Sequence, residues 1–134
     1  MTLRVRERMS SELVGASPDE PARRVLELFE ERDVRHVLVF SGERLVGIVS
    51  DRDLIRITLR NAGRVLDVDG CRVADIMTPA PLEVARPEEP LREAARRMQE
   101  ARVDALPVVE EDRAVGIVTS ADVLAAYAAT EDAS

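Results

Sequence analysis

Gly47-Ile48-Val49-Ser50 returns as Gly116-Ile117-Val118-Thr119, an offset of 116 − 47 = 69 residues, and the match is not confined to that tetrapeptide. At the same offset Pro18 falls on Pro87, Glu20 on Glu89, Pro21 on Pro90 and Arg23 on Arg92. Val34, Val39, Arg44, Val46 and Asp53 fall on Val103, Val108, Arg113, Val115 and Asp122. With a one-residue slip near the start, Val5 and Met9 match Val73 and Met77. A chain that repeats itself through nearly all of each half must build one unit twice.

Each half carries the same order of local signals. Residues 14–16 and 82–84 are short, contain β-branched Val14 and Val84, and predict brief strands. A helix opens near Pro21 in one half and Pro90 in the other, where the missing amide costs little. The apolar spacing predicts buried faces of Ala22, Val25, Leu26 and Phe29, and of Leu91, Ala94, Ala95 and Met98. Two apolar strands follow, 36–40 with 44–49 and 105–109 with 114–118, joined by polar turns that make each pair a hairpin. The last helices are expected over 51–60 and 120–129. One β-α-β-β-α unit has too small a sheet to bury both faces. The expected fold is therefore α+β, with tandem units packed sheet-to-sheet about a pseudo-two-fold axis and helices outside. The expected boundaries are 1–60 for the first unit, 61–72 for a linker and 73–134 for the second. The seam of such a pair leaves two related clefts, the usual seat of a small ligand.

Composition removes several functions. Nineteen basic against 26 acidic side chains leave a net charge of −7, opposite to what displacing counterions from nucleic-acid phosphates requires. The single cysteine, Cys71, cannot form an intrachain disulfide, and with the single histidine, His36, it cannot close a Cys/His zinc site. The apolar runs are strand-sized, and the arginine-rich start lacks the apolar core of a signal peptide. A cytoplasmic protein without membrane insertion is expected. Cys71 and His36 lie far apart in sequence, which gives a nucleophile pair little support. His36 reads as an edge residue, and Met77 and Met98 as core.

The chemistry-bearing pattern is Gly47-Ile48-Val49-Ser50-Asp51-Arg52-Asp53 with its twin Gly116-Ile117-Val118-Thr119-Ser120-Ala121-Asp122. A strand ends on a hydroxyl residue, and a carboxylate follows three positions later at a helix start. One reading is a capping box, with Asp53 or Asp122 favoured by the helix dipole. Another uses the same geometry for a ligand: helix amides and a hydroxyl suit an anion, and a carboxylate suits vicinal sugar hydroxyls. The two readings are compatible.

These motifs, with Val73-Ala74-Asp75-Ile76-Met77-Thr78 ahead of the second half and Leu106-Pro107-Val108-Val109 on its middle strand, resemble those of the CBS domain family. The whole chain looks like a stand-alone CBS pair (Bateman module), the likeness covering roughly 5–60 and 73–128. The resemblance implies adenosine-containing ligands in the clefts: AMP, ADP or ATP, with S-adenosylmethionine and NAD as further candidates. It implies that Asp53 and Asp122 hold ribose hydroxyls and that Ser50 and Thr119 approach phosphate. The base would sit against Val14 and Ala16 with Arg35, His36 and Val37, and in the second cleft against Leu82 and Val84 with Asp104, Ala105 and Leu106. It also implies a disc-like homodimer stacked through helices, which the alanine-rich last helix permits.

Two departures stand out. The first unit has Val37-Leu38-Val39 where the family usually carries a proline, and Met9-Ser10 where it has Met-Thr. Arg52, Arg56 and Arg60 form a stripe at i, i+4, i+8, whereas their twins Ala121, Ala125 and Ala129 are neutral. The stripe is either a solvated face or the mark of a better phosphate site in the first unit. No nucleophile–base pair, metal cluster or phosphate-binding glycine loop suggests an enzyme. The expected function is a regulatory ligand sensor with no required cofactor, Mg2+ being admissible beside a polyphosphate. With no room expected for an effector domain, its output would lie on another chain. The alternative is an interaction or dimerisation module with vestigial, non-binding clefts.

Overall fold

The computed structural model describes residues 2–60 and 67–133, with side chains through residue 130; residues 61–66 of the expected linker lie outside the described residues. The chain forms two compact units, Val14–Leu82 and Met1–Leu13 with Glu83–Ser134. The cut does not follow the sequence repeat: each unit takes one hairpin and the segment that leads into the other repeat.

In unit Val14–Leu82, β1 (Gly15–Ala16) lies parallel to β2 (His36–Ser41), which forms a hairpin with β3 (Arg44–Ser50). A second lead-in strand, β4 (Thr78–Pro79), closes the sheet antiparallel to β3, giving the order β1-β2-β3-β4. Helices α1 (Arg23–Arg32), α2 (Asp51–Arg60) and the short α3 (Val73–Ile76) complete the unit. The other unit repeats the frame with α4 (Leu91–Ala101), β5 (Ala105–Glu110), β6 (Arg113–Thr119) and α5 (Ser120–Ala133). Its flanking segments pair by single bridges, Ala85 parallel to Val108 and Ser10 antiparallel to Ile117. Both hairpins carry a register irregularity at the same place, Val39/Phe40 and Val108/Val109. Both first helices end on a left-handed residue, Asp33 at φ 51° and Arg102 at φ 58°.

Two expectations need correction. The helix face of α1 is Ala22, Val25 and Leu28, with Phe29 partly buried; Leu26 is 38% exposed while Leu28 is 3% exposed. At 100° per residue, Leu28 falls on the flank nearer Val25, while Leu26 lies on the opposite flank. The strand expected at 82–84 does not form, and the pairing falls one residue on, at Ala85. A constant 69-residue offset makes Glu83 and Ala85, not Leu82 and Val84, the counterparts of Val14 and Ala16.

The lead-in segments dock by matching bonds. The Val5 and Arg6 amides donate to the carbonyls of Glu89 and Pro87, as those of Val73 and Ala74 do to Glu20 and Pro18. Val5 and Val73 are fully buried, one in each core. Close approach of the segment requires glycine beneath it. A Cβ on Gly47 would lie 2.5 Å from Met77 Sδ and 2.9 Å from the Thr78 carbonyl. One on Gly116 would lie 2.5 Å from the Ser10 carbonyl.

Candidate functional site

The end of β3 and the first turn of α2 form the frame of the first site. The Ser50 amide donates to Asp53 Oδ2 at 2.8 Å, and the Asp53 amide donates back to Ser50 Oγ at 3.1 Å. This reciprocal pair satisfies two orphan amides and holds the carboxylate at the positive end of α2. The other oxygen, Oδ1, is only lightly used: Thr78 Oγ1 donates to it at 3.4 Å, and the Arg56 guanidinium stands 3.9 Å away. With its side chain 13% exposed, Asp53 keeps an accepting oxygen in a mostly enclosed position.

The remaining residues expected at this site gather around the same strand ends. His36 pairs with Ser50 across the β2–β3 ladder, and the Arg35 carbonyl accepts the Asp51 amide at 3.1 Å. The Val14 carbonyl accepts the Leu38 amide at 2.9 Å, which sets the first strand beside β2. Val14, Ala16 and Val37 are buried, Arg35 and Arg52 exposed, and His36 half-buried. Thr78 was not among the expected residues. It arrives on the lead-in of the second repeat, and the Met77-Thr78 motif was its signal.

The second site repeats the frame in its own unit. The Thr119 amide donates to Asp122 Oδ2 at 2.8 Å, Thr119 Oγ1 donates to the same oxygen at 3.1 Å, and the Asp122 amide returns to Thr119 Oγ1 at 3.4 Å. All the bonds from Thr119 to the carboxylate therefore converge on Oδ2. Ala105 pairs with Thr119 across the ladder, and the Asp104 carbonyl accepts the Ser120 amide at 2.8 Å. Leu106 is buried and Val84 half-buried. Leu82, expected at this site, is the last residue of the unit Val14–Leu82.

Arg97 was also missed. Its Nη1 donates to Glu83 at 2.9 Å and to the Val84 carbonyl at 2.7 Å, while Nε and Nη2 grip Glu89 at 3.1 and 2.5 Å. The Glu89 hydrogen bond, opposed by partial burial, raises the Arg97 pKa above its ordinary value. Cys71 donates to the Asp67 carbonyl, and burial followed by the Asp75 and Asp67 charges pushes its thiol pKa up, away from nucleophilic character. Among the described residues there is no group of His, Cys, Asp and Glu that could hold a metal ion, and no helix long and apolar enough to cross a membrane.

The family model of the CBS domain matches residues 5–60 and 73–129. The chain belongs to the CBS domain family. It is 35% identical over 111 residues to a homoserine O-acetyltransferase of Methanohalobium evestigatum, covering 81% of this chain and 20% of that protein. An inosine-5'-monophosphate dehydrogenase of Korarchaeum cryptofilum is 33% identical over 113 residues, covering 84% of this chain and 22% of the relative. This CBS chain thus spans about a fifth of these longer enzymes, and the match lies in their CBS region. Among solved structures, the CBS domain pair of protein MJ0100, in complex with 5'-methylthioadenosine and S-adenosyl-L-methionine, superposes with a TM-score of 0.83 at 23% identity. That match covers 97% of this chain and 99% of the other. The α+β CBS-pair fold expected from the repeat is the one found.

Proposed function

We propose that this CBS pair is a regulatory sensor that binds adenosine-containing nucleotides at two sites, one at Ser50 and Asp53 and the other at Thr119 and Asp122. AMP, ADP and ATP are the first candidates, followed by S-adenosylmethionine and NAD. The observation that carries the reading is the carboxylate frame built twice, with one oxygen of each aspartate spared by the capping bonds. A ribose presents two vicinal hydroxyl donors, and a carboxylate oxygen at a helix start accepts them. Adenosine ligands on the MJ0100 pair support the ligand class. In this reading the base lies against Val14, Ala16 and Val37 at the first site and against Val84, Ala105 and Leu106 at the second.

The arginine stripe makes the first site the better seat for phosphate. Arg56, one turn below Arg52, stands 3.9 Å from Asp53 Oδ1, which supports this; Arg52, nearest the helix start, should matter most and Arg60, two turns away, least. Mg2+ would enter only beside a polyphosphate. We take 1–60 and 73–134 as the functional repeats joined by 61–72, in a cytoplasmic protein whose occupancy alters its association with an effector on another chain. Ile55 and Leu59 on α2 and Leu124 and Tyr127 on α5 are exposed, which supports a homodimer formed through these helices.

That exposure also favours the second reading, an interaction module whose clefts bind nothing and whose aspartates only cap helices. Thermal denaturation with each nucleotide separates the two. The sensor gains stability by mass action, about 2.7 kcal/mol at a hundredfold excess over Kd. An interaction module shows the same melting curve with every nucleotide.

A further inference from the structure

The two sites share a frame but not a set of charges. We propose that the second site selects an adenosine derivative that carries no phosphate, leaving the phosphorylated ligand to the first. This rests on the nucleotide-sensing reading above. Position by position, Asp104 stands where the first repeat has Arg35, Ala105 where it has His36, Ala121 where it has Arg52 and Ala125 where it has Arg56. Each arginine of the first frame, and His36 with them, is replaced by a neutral or acidic residue.

Arg97 touches the second wall through the Val84 carbonyl, and its donors are already committed. It takes the place of Leu28, and its partner Glu83 takes the place of Val14. In the first unit that pair of positions is apolar and buried. In the second it is an ion pair, enlarged by Glu89 and closed on the Val84 carbonyl. Nε, Nη1 and Nη2 all donate within the cluster. Arg97 is 22% exposed and Glu89 15% exposed, so the pair is shielded from solvent screening. Two carboxylates against one guanidinium leave the cluster with surplus negative charge. At this wall, where the reading above sets the base, Arg97 has no donor left for a ligand, and the surplus negative charge disfavours an anionic one. A thioether nucleoside brings no negative charge to a site that lacks the first site's arginines, and a sulfonium nucleoside suits its more acidic set of charges. Arg97 also pins the Val84 backbone, so this wall is held by charge where the first is held by packing.

The test is calorimetric titration of the full chain with AMP, ATP and 5'-methylthioadenosine. Wild type is compared with Asp53→Ala, Asp122→Ala and the double variant Ala121→Arg/Ala125→Arg. Asp53→Ala is expected to lose AMP and ATP binding at least about tenfold while keeping 5'-methylthioadenosine; Asp122→Ala does the reverse. The double variant, at exposed helix positions, raises AMP affinity at the second site about tenfold and leaves the thioether within about twofold. It keeps the proposal testable even where an aspartate variant fails to fold. AMP binding abolished by Asp122→Ala, or left unchanged by the two added arginines, overturns the selectivity alone. A wild type that binds none of the three ligands overturns the nucleotide reading and the selectivity with it.

Discussion

Replacing Gly116 with alanine tests how the lead-in segment is held. The new Cβ would lie 2.5 Å from the Ser10 carbonyl and 3.0 Å from Met9 Sδ. The first contact is backbone and cannot rotate away, so the segment must lift from β6. Lifting it strains two bonds, Ser10 amide to Ile117 carbonyl and its reciprocal, both 2.9 Å. Overpacking costs about 1–3 kcal/mol and each of the two weakened bonds adds about 0.5–1.5, so a loss of roughly 2–6 kcal/mol is expected. Gly47→Ala should cost less, about 1–2 kcal/mol, because its tightest neighbour is the flexible Met77 thioether and its backbone contact, the Thr78 carbonyl at 2.9 Å, is less severe than that of Gly116. Urea unfolding of wild type and both variants gives the comparison, with the slope checked for constancy. A Gly116→Ala loss below about 0.5 kcal/mol, or below that of Gly47→Ala, would refute the docking of Met9 and Ser10 on β6.

Two further outcomes follow. Arg52→Ala and Arg56→Ala should each lower the preference for ATP over AMP by about three- to tenfold in low salt, with Arg60→Ala near wild type, as read by titration at two salt concentrations. An unchanged preference in the first two reduces the stripe to a solvated face. Asp69, hydrogen-bonded through both oxygens to Arg23, has its pKa lowered by that bond. A depressed folded pKa means that its contribution is present above the ordinary carboxylate range and lost as pH falls through the lowered value. Wild type should therefore lose its small advantage over Asp69→Asn as melting is followed from pH 7 towards pH 3.

The repeat made the hairpins, helices and both capping frames readable, because each depends on neighbours within a few residues. The docking of the lead-in segments was not readable. Val5 and Val73 carry the same local pattern whichever hairpin covers them, and only tertiary structure decides between the two. Leu26 and Leu28 show the same limit at smaller scale: both are apolar on one helix, and the sheet beneath chooses Leu28. The strand expected at 82–84 was misplaced because Leu82 and Val84 look more strand-like than Glu83, whose ion-pair partner is Arg97. A charged pair in an apolar slot leaves no periodic signal. Thr78 was visible as a motif but not as a site residue, since its reach to Asp53 crosses 25 positions.

The most direct test of the sensor reading measures affinity and stability on the same samples of wild type, Asp53→Asn and Asp122→Asn. Each variant is titrated with AMP and with 5'-methylthioadenosine and melted without ligand. The account predicts that each substitution weakens one of the two ligands by about 1.5–3 kcal/mol, roughly ten- to a hundredfold. The accompanying loss of stability should stay within about 0.5–2 kcal/mol, the range of a helix cap. Stability lost in both variants with every affinity unchanged would contradict it, leaving Asp53 and Asp122 as caps and both sites without a ligand.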